Sequence, residues 1–412
     1  MKKSIYNHIV QHNGYHLVYN LLTSACVILT DVEFQNFDNF SVNKEDNDTY
    51  YHMGFYVDDD FNEVDAVYYS SLVSSHNNTL FHFRIYTTLD CNACCPYCYE
   101  KGAEPIYMDE KTADLVCQFI VNTLKEKSSV TLEWFGGEPL LNKHIIDYIC
   151  LKLIPIFKEK EIVYSSRIVT NGILLNNDIV EMACGVWNLK QAQITLDGLK
   201  DTHESVKGFH CKDAFEKILD NISLLLKKNI IVTIRLNYDE RNFDEIVALI
   251  EFLGDRFVNC DTLKIGAKKL MYETMDNSVI SSENYDLVIL KKCIEKGFIK
   301  NTLDTIHRKN NSCMAHSLDS IMILPDGKLG KCSQAMCDGD IIGNIVDGIN
   351  EEKLVRWCSP RLSKRCMCCH LLPICNGGCE YERFMGKNYC FTTEMILNYK
   401  LEYYLGEYCK SQ

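Results

Sequence analysis

The stretch FHFRIYTTLDCNACCPYC, residues 81–98, decides the fold class of this chain. Phe81, Phe83 and Ile85 occupy alternate positions, and this period of two predicts a half-buried β-strand. The strand runs directly into three cysteines with the spacing C-x3-C-x2-C, namely Cys91, Cys95 and Cys98. The sequence therefore predicts a strand whose carboxyl end carries a group of thiols.

Five further strand-like segments follow, and a segment with helical periodicity separates each from the next. The strands are predicted at 130–135, 167–169, 193–196, 230–236 and 262–265. Strands that alternate with helices form βα units and a parallel sheet. Six such units predict an α/β fold with a partial (β/α)6 TIM-like barrel, because a closed barrel of this type has eight.

The two ends of the chain differ in composition from this central part and predict two smaller domains. Residues 1–80 are rich in Tyr, Asn and Asp and predict a small N-terminal α+β domain, which the barrel at 81–300 follows. Residues 301–412 are rich in Cys and Gly, and no long amphipathic helix is predicted there before residue 392. A segment with so little apolar periodicity needs crosslinks such as bound metal to hold it together, so we predict a Cys-rich C-terminal domain that is stabilised in this way.

Charge and cysteine content exclude several classes of protein. The 412 residues include 43 Lys and Arg against 56 Asp and Glu, and the formal net charge of -13 disfavours binding to nucleic acid or anionic membranes. The sequence shows no signal-peptide pattern and no stretch apolar enough to span a membrane, so we expect a cytoplasmic protein. In that compartment, the 22 cysteines are expected to be metal ligands, redox groups or buried thiols and not disulfides.

The thiols of Cys91, Cys95 and Cys98 fit an iron–sulfur cluster better than a zinc ion. Three thiolates on one loop can hold three irons of a 4Fe–4S cluster and leave the fourth iron open to a small molecule. A zinc site needs a fourth protein ligand or a water, and no histidine lies nearby in the sequence. A Cys-rich loop without function is the remaining alternative, and we interpret Cys94 as a bystander.

With Tyr97 before its last cysteine, this loop resembles the cluster loop of the radical S-adenosylmethionine (SAM) superfamily. The run Gly136-Gly137-Glu138-Pro139 after the second strand is similar to the family motif that contacts the amino group of SAM. Two glycines allow backbone carbonyls to approach an ammonium group closely, and Glu138 adds negative charge. The resemblance implies that Tyr97 and these four residues bind SAM.

The ends of the next three strands also resemble the family. Asn171 lies in Thr-Asn-Gly, and Thr195 and Asp197 lie in Thr-Leu-Asp-Gly, segments that line the SAM ribose and carboxylate in similar enzymes. Where the family often has an arginine that pairs with this carboxylate, the chain has Lys207. Lysine supplies a positive charge but cannot form the two parallel hydrogen bonds that an arginine forms with a carboxylate. Lys207 is therefore either the partner of the SAM carboxylate or a solvated lysine. The fifth strand end, residues 235–239, is either core strand or pocket wall.

The cysteines near the C-terminus resemble the pattern of SPASM domains. The pattern reads C-x13-G-x4-C, a gap, C-x2-C-x5-C-x3-C, a gap and a last C, and its glycine is Gly327 in a Pro-Asp-Gly turn. Two zinc ribbons are the alternative interpretation. The seven cysteines are Cys313, Cys332, Cys366, Cys369, Cys375, Cys379 and Cys390.

The resemblance implies a C-terminal iron–sulfur domain with two auxiliary clusters, and thus three [4Fe–4S] clusters in the chain. The outer auxiliary cluster is implied to be held by Cys366, Cys369, Cys375 and Cys390. The inner one is implied to be held by Cys313, Cys332 and Cys379. Its fourth iron is either open to a substrate thiolate or ligated by Cys337, because residues 314–319 contain no cysteine.

The resemblance also implies an oxidoreductase that uses SAM and an electron donor such as flavodoxin or ferredoxin. One electron cleaves SAM, and the resulting 5′-deoxyadenosyl radical takes a hydrogen atom from an unactivated carbon. SPASM enzymes mostly modify peptides, so we predict an anaerobic maturase that crosslinks a ribosomally made precursor peptide. A thioether is favoured over a carbon–carbon bond.

Two other functions remain open, and so does the role of residues 1–80. One alternative is an anaerobic sulfatase-maturing enzyme that forms formylglycine, although such enzymes usually carry an aspartate where Ser333 follows Cys332. The other is a non-catalytic metal-binding scaffold. Residues 1–80 are either a module that docks the leader segment of the peptide by strand addition or a structural extension of the barrel.

Overall fold

The computed structural model describes residues 1–75, 79–209, 211–270, 282–309, 313–358, 362–386, 390 and 393–412. The chain divides into two compact units. The terminal unit comprises Met1–His76, Ile299–Ser317 and Ser359–Gln412, and the barrel unit comprises Asn77–Phe298 and Leu318–Cys358.

The secondary-structure elements are numbered here along the chain. The strands are β1 (Lys2–Lys3), β2 (Asn7–His12), β3 (Tyr15–Asn20), β4 (Cys26–Thr30), β5 (Tyr56–Val57), β6 (Leu80–Thr88), β7 (Ser129–Gly136), β8 (Val163–Thr170), β9 (Leu189–Leu196), β10 (Ile231–Tyr238), β11 (Leu263–Lys269), β12 (Ser320–Ile323), β13 (Lys328–Gly330), β14 (Gly343–Asn344) and β15 (Gly348–Ile349). The α-helices are α1 (Asp31–Asp38), α2 (Lys44–His52), α3 (Glu63–Ser75), α4 (Glu110–Thr123), α5 (Lys143–Glu159), α6 (Asn177–Gly185), α7 (Lys200–Lys207), α8 (Ala214–Lys227), α9 (Phe243–Arg256), α10 (Ser282–Glu295), α11 (Glu351–Cys358), α12 (Lys364–Met367), α13 (Leu372–Cys375), α14 (Glu380–Phe384) and α15 (Glu394–Ser411).

The barrel unit is built on the predicted run of six parallel strands. β6 to β11 lie side by side in sequence order, and each is parallel to its neighbours. Helices connect them, so the prediction of an α/β fold with a partial (β/α)6 barrel is confirmed. The sheet continues beyond β6 through β12, which is parallel to it, and then through the antiparallel strands β13 to β15.

Alternate residues of the barrel strands form an apolar layer on one face of the sheet. Phe83 and Ile85 of β6 and Leu132 and Trp134 of β7 are fully buried. The apolar stripe of α8, which includes Ile218, is also fully buried. Because all six strands are parallel, the loops after β6, β7, β8 and β9 gather at one edge of the sheet, and these loops carry the motifs identified in the sequence.

The terminal unit combines both ends of the chain around one core. β2, β3 and β4 form an antiparallel sheet, and β1 pairs with β5. Leu397, Leu401 and Leu405, one turn apart on α15, are buried together with Leu17 and Tyr19 of β3. This leucine stripe packs against an apolar sheet that the N-terminal residues supply. The domain limits at residues 80 and 300 stay a prediction.

In the described part of the chain, no helix combines the length and the apolar character needed to cross a membrane.

Candidate functional site

The loop that follows β6 holds the three predicted cluster cysteines. Cys91 and Cys95 are half-buried and Cys98 is exposed. The backbone N–H of Ala93 donates to Sγ of Cys91 at 3.4 Å, and Nδ2 of Asn171 lies 4.0 Å from the same sulfur. Burial raises the pKa of the Cys91 thiol to about 12 and also raises that of Cys98. The thiols therefore need a metal or a nearby cation to exist as thiolates.

Lys207 at the end of α7 supplies a cation beside this loop. Its Nζ lies 3.6 Å from Sγ of Cys95, and only 3% of the residue is exposed. Burial lowers the pKa of Lys207, but the Asp197 carboxylate, the Tyr97 hydroxyl and Cys95 outweigh burial and raise it, so the ammonium stays charged. The alternative of a solvated lysine is thereby excluded for Lys207.

The donor set of this loop suits a cluster that binds each thiol through a different iron. Cys95 and Cys98 both raise the pKa of Cys91, so the three groups feel one another's charge. In the described part of the chain they are not gathered within 4.8 Å of one another, as the ligands of a single ion would be. Three thiols with an ammonium beside one of them fit an anionic iron–sulfur cluster.

A buried polar group joins this loop to the end of β9. The hydroxyl of Tyr97 donates to Oδ1 of Asp197 at 2.5 Å, and Nζ of Lys207 lies 3.1 Å from Oδ2. The backbone N–H of Asp197 donates to Nδ1 of His203 at 3.2 Å. Burial, together with the Lys207 charge, lowers the pKa of His203 to about 3, so its imidazole is neutral and Nδ1 can accept this bond. His203 is a positioning residue that the sequence showed only as a neighbour of the motif.

The two glycines after β7 allow a close backbone approach to the cysteine loop. A Cβ on Gly136 would lie 2.1 Å from the carbonyl oxygen of Thr88, and one on Gly137 would lie 2.3 Å from that of Asp90. The N–H of Gly137 donates to the Thr88 carbonyl at 3.1 Å, and the N–H of Glu138 donates to the Asp90 carbonyl at 2.8 Å. These glycines therefore anchor the start of the loop, and their contact with the amino group of SAM stays a prediction.

The side chain of Glu138 joins the ends of two strands. Its carboxylate is fully buried and accepts from the hydroxyl of Thr170 at 2.7 Å and from the N–H of Asn171 at 2.8 Å. Burial raises the pKa of Glu138 to about 7 against the lowering effect of these hydrogen bonds. The carbonyl of Pro139 accepts from the hydroxyl of Thr87 at 3.0 Å. Glu138 thus holds β7 and β8 in register at the site, a role that the sequence did not indicate.

Asn171 and Arg235 approach the cysteine loop from the other strands. Nδ2 of Asn171 donates to Oδ1 of Asn92 at 2.7 Å, which restrains the loop between Cys91 and Cys95. Thr195 of β9 lies directly beside Arg235 of β10 in the sheet. Burial lowers the pKa of Arg235, whereas Tyr97 and Tyr99 of the loop raise it. Since the loop tyrosines act on its charge, we expect the guanidinium of Arg235 to face the loop.

The sequence analysis missed a cluster of charged residues on the barrel strands. It lies on the face of the sheet opposite to the apolar layer of Phe83 and Ile85. Arg84, Glu133 and Arg167 are paired across β6, β7 and β8. Nε of Arg84 donates to the Glu133 carboxylate at 2.6 Å, Nε of Arg167 lies 3.0 Å from it, and Nε2 of His82 also lies 3.0 Å from it. Despite burial, the hydrogen bond from His82 and the charges of Arg84 and Arg167 hold the pKa of Glu133 far below its usual range. Charged residues at alternate positions of otherwise apolar strands were the signal that could have revealed this cluster.

Most of the predicted C-terminal cluster cysteines lie in the terminal unit, and Cys366 and Cys375 lie on its short helices α12 and α13. Cys366 and Cys369 pack against its core, and Sγ of Cys366 accepts from the hydroxyl of Ser363 at 3.2 Å. Cys375 ends α13. Of the seven cysteines of the SPASM-like pattern, six belong to this unit, namely Cys313, Cys366, Cys369, Cys375, Cys379 and Cys390. Cys332 belongs to the barrel unit.

The turn that carries Cys313 is tied to the helix that begins after Cys379. The N–H of His316 donates to the carbonyl of Cys313 at 3.1 Å. Nε2 of His316 lies 3.2 Å from the fully buried carboxylate of Glu380, which also forms an ion pair with Arg383. Cys313 and Cys379 are therefore held on packed neighbouring segments. Their assignment to one cluster with Cys332 stays a prediction.

Comparison with known proteins identifies the central part of the chain. The sequence pattern of the Radical SAM superfamily matches residues 85–253, which include the cysteine loop and the strand-end motifs. Residues 85–253 form a radical SAM domain. Enzymes with this domain use a 4Fe–4S cluster and SAM, which agrees with the thiols and the charged groups at the carboxyl edge of the sheet.

The chain is similar to known proteins in sequence and in fold. It is 26% identical to GTP 3′,8-cyclase of Clostridium perfringens (strain 13 / Type A) over 294 residues, which cover 66% of this chain and 86% of the relative. Its structure matches anSMEcpe, solved with bound AdoMet and Kp18Cys peptide, with a TM-score of 0.61 and 16% identity over 81% of this chain and 98% of that one. It also matches Streptococcus suis SuiB, solved bound to precursor peptide SuiA, with a TM-score of 0.53 and 14% identity over 96% of this chain and 99% of that one. At these identities the two structures show a shared fold.

Proposed function

We propose that this chain is a radical SAM enzyme that matures a ribosomally made peptide by forming an intramolecular crosslink. The observation that carries the proposal is the fold similarity to SuiB, which extends over 96% of this chain and thus over residues of both units. SuiB was solved bound to its precursor peptide. The alternative of a non-catalytic scaffold falls because the chain contains a radical SAM domain.

We assign the SAM-cleaving cluster to Cys91, Cys95 and Cys98. When bound, the cluster and SAM supply the radical that removes a hydrogen atom from an unactivated carbon. The chain itself supplies position and charge, because Lys207 lies beside Cys95 and Asn171 restrains the loop through Asn92. Tyr97, Gly136, Gly137, Glu138, Pro139, Asn171, Thr195, Asp197 and Lys207 are the proposed SAM-binding residues.

Two further clusters are proposed for the C-terminal cysteines, which would then form a SPASM domain. Cys366, Cys369, Cys375 and Cys390 are assigned to one cluster, and Cys313, Cys332 and Cys379 to the other. The packed turns of α12 and α13 and the link from His316 to Glu380 support these groupings. A thioether forms when the peptide loses a hydrogen atom from carbon, a proton from the cysteine thiol and one electron, and accepting that electron is the chemistry such clusters supply.

The residue after Cys332 favours crosslinking over formylglycine formation. Nη1 of Arg84 donates to Oγ of Ser333 at 2.5 Å, and Arg84 is itself paired with Glu133. The position where sulfatase-maturing enzymes usually carry an aspartate is therefore a hydroxyl that accepts from a guanidinium, and it offers no carboxylate to a substrate thiol. Formylglycine formation remains the second candidate, because the fold also matches anSMEcpe, which was solved with Kp18Cys peptide.

A leader segment of the peptide is proposed to dock on the small sheet of the terminal unit. Within the described residues, β4 pairs on one side with β3, and its other side carries no partner strand. An extended peptide can bind such an edge through main-chain hydrogen bonds. α1 begins directly after β4 with a capping box at Thr30, which sets one end of the edge.

The test begins with a search beside the gene for a short cysteine-rich open reading frame, whose peptide is then incubated anaerobically with the reconstituted enzyme, SAM and dithionite. A thioether predicts the loss of a pair of hydrogens and a cysteine that no longer reacts with iodoacetamide. A carbon–carbon crosslink predicts the same mass change with a thiol that still reacts. Formylglycine predicts the loss of sulfur and a new aldehyde. An unchanged peptide mass alongside active SAM cleavage, or conversion of GTP in a parallel reaction, would contradict peptide maturation.

A further inference from the structure

Outside the radical SAM domain, one group of side chains in the terminal unit has the composition of a transition-metal site. The group consists of His8 on β2, His370 directly after Cys369, and Glu394, the first residue of α15. One potential ligand atom of each residue lies within 4.8 Å of those of the other two. The proposed function uses none of the three side chains.

The ring of His370 has a buried nitrogen without a hydrogen bond. Its Nε2 lies 3.8 Å from Oε1 of Glu394, which is too long for a hydrogen bond, and it makes no other within the described residues. The rings of His8 and His370 stack with centroids 5.7 Å apart and planes inclined by 11°. The side chain of His370 is 39% exposed, but this nitrogen is itself buried without a hydrogen-bond partner, and it points to a ligand between His370 and Glu394.

His8 is held in the form that binds metals. It is buried, and its Nε2 lies 2.6 Å from Oδ1 of Asn398, an oxygen that only accepts, so this nitrogen carries the proton. With the proton on Nε2, the lone pair of the neutral imidazole lies on Nδ1. Metal-bound histidines typically donate their second N–H to an oxygen in this way. Glu394 and Asn398 are one turn apart on α15 and share a face.

We propose that His8, His370 and Glu394 bind a zinc ion, with water as the fourth ligand. Two imidazoles and one carboxylate form a donor set that zinc uses, whereas calcium and magnesium prefer oxygen ligands throughout. Glu394 is exposed, so water can reach the open position. The ion joins three segments that are distant in sequence, and the proposal stands independently of the reaction that the enzyme catalyses.

The test uses the full-length enzyme with its clusters reconstituted anaerobically, so that cluster cysteines do not compete for the metal. The enzyme is incubated with Zn²⁺ alone, desalted and analysed for zinc and iron. We expect one additional zinc per chain in the parent, and its X-ray absorption spectrum should show nitrogen and oxygen ligands with imidazole scattering and no sulfur at about 2.3 Å.

Variants of the ligands distinguish this site from zinc bound elsewhere. Glu394→Gln and His8→Asn should lose that zinc, and Asn398→Ala should weaken its binding by about 10- to 100-fold, as expected for an outer hydrogen-bond partner. Glu402→Gln, an exposed residue on the same helix, should bind zinc like the parent. Equal zinc content in the parent and in Glu394→Gln, or a sulfur ligand in the spectrum, would overturn the proposal. Because Glu394 is exposed, its variant keeps the test decisive even if His8→Asn does not fold.

Discussion

The ammonium of Lys207 forms an ion pair with the carboxylate of Asp197 at 3.1 Å in the interior of the barrel unit. Only 3% of Lys207 and 1% of Asp197 is exposed to solvent. Removing one partner of a buried ion pair leaves an uncompensated charge and is strongly destabilising. Since Lys207 also lies 3.6 Å from Sγ of Cys95, the same cation compensates Asp197 and stands beside a proposed cluster ligand.

Replacing Lys207 by methionine should destabilise the barrel unit and weaken the hold on the cluster. The Asp197 carboxylate would remain buried without its cation, and we expect a loss of about 3–5 kcal/mol in the free energy of unfolding. Anaerobic chemical unfolding and iron content per chain measure the two effects. Lys207→Arg keeps the charge and should retain most of the iron.

The matched control for this change is Lys200→Met. Lys200 also pairs with an aspartate, Asp213, but both side chains are largely exposed. Exposed ion pairs contribute little because water and salt screen them, so this variant should match the parent in stability and in iron content. If Lys207→Met were as stable as Lys200→Met, the ion pair with Asp197 would not be the main role of this lysine.

His203 should make the stability of the enzyme sensitive to mild acid. Its pKa is about 3 in the folded protein, lowered by burial, against 6.5 in the unfolded chain. Below pH 6.5 the unfolded chain binds a proton that the folded chain does not, so stability falls as the pH falls from 6.5 towards 3, by about 1.4 kcal/mol per pH unit. His203→Asn keeps an acceptor for the N–H of Asp197 and cannot titrate in this range.

Chemical unfolding at pH 7.5 and pH 5.5 measures this effect. The parent should lose about 1.4 kcal/mol more than His203→Asn between the two pH values. His12→Asn, a change at an exposed residue, should behave like the parent. The same pH response in the parent and in His203→Asn would show that the folded protein protonates His203.

Gly137→Ala should displace the cysteine loop. The added Cβ would lie 2.3 Å from the carbonyl oxygen of Asp90, a backbone atom that cannot rotate away, and the hydrogen bond from Glu138 to this carbonyl would be lost. We expect a lower iron content and less 5′-deoxyadenosine. Gly185→Ala is the control, because Gly185 ends α6 and a Cβ there meets no atom within 4 Å among the described residues. An iron content in Gly137→Ala equal to that of Gly185→Ala would contradict the role assigned to this glycine.

The barrel was predictable because its signals are local. Alternation in β6 and helical periodicity in segments such as α4 and α8 are visible within single stretches of sequence. The addition of β12 to the sheet beside β6 was not predictable, since it depends on a pairing between residues more than two hundred positions apart. The packing of α15 against β3 was not predictable for the same reason, because it joins residues that are far apart in the sequence.

In the candidate site, too, the local motifs were predictable from the sequence and the long-range contacts were not. The cysteine spacing and the Gly-Gly-Glu-Pro run could be found because each lies within a few residues. The partners of Glu138 and Lys207 could not, because they depend on how strand ends meet: Glu138 binds Thr170, and Lys207 binds Asp197. Polar residues at strand ends are visible in sequence, but their hydrogen bonds depend on the geometry of the sheet.

Cys94 and Cys95 are neighbours, but only the replacement of Cys95 by serine should remove the cluster. Sγ of Cys95 lies 3.6 Å from Nζ of Lys207, whereas the side chain of Cys94 is exposed and its backbone N–H donates to the carbonyl of Lys207 at 2.7 Å. Serine at 94 keeps that backbone bond, so the variant should bind iron and release 5′-deoxyadenosine like the parent. Serine at 95 should remove about four irons per chain and abolish 5′-deoxyadenosine release, because two thiols do not retain the cluster.

Iron analysis and chromatography of anaerobic reactions measure both quantities, and serine variants of Cys91 and Cys98 should behave like that of Cys95. If the Cys94 variant lost its iron and the Cys95 variant kept it, Cys94 would be the ligand and the C-x3-C-x2-C assignment would be wrong.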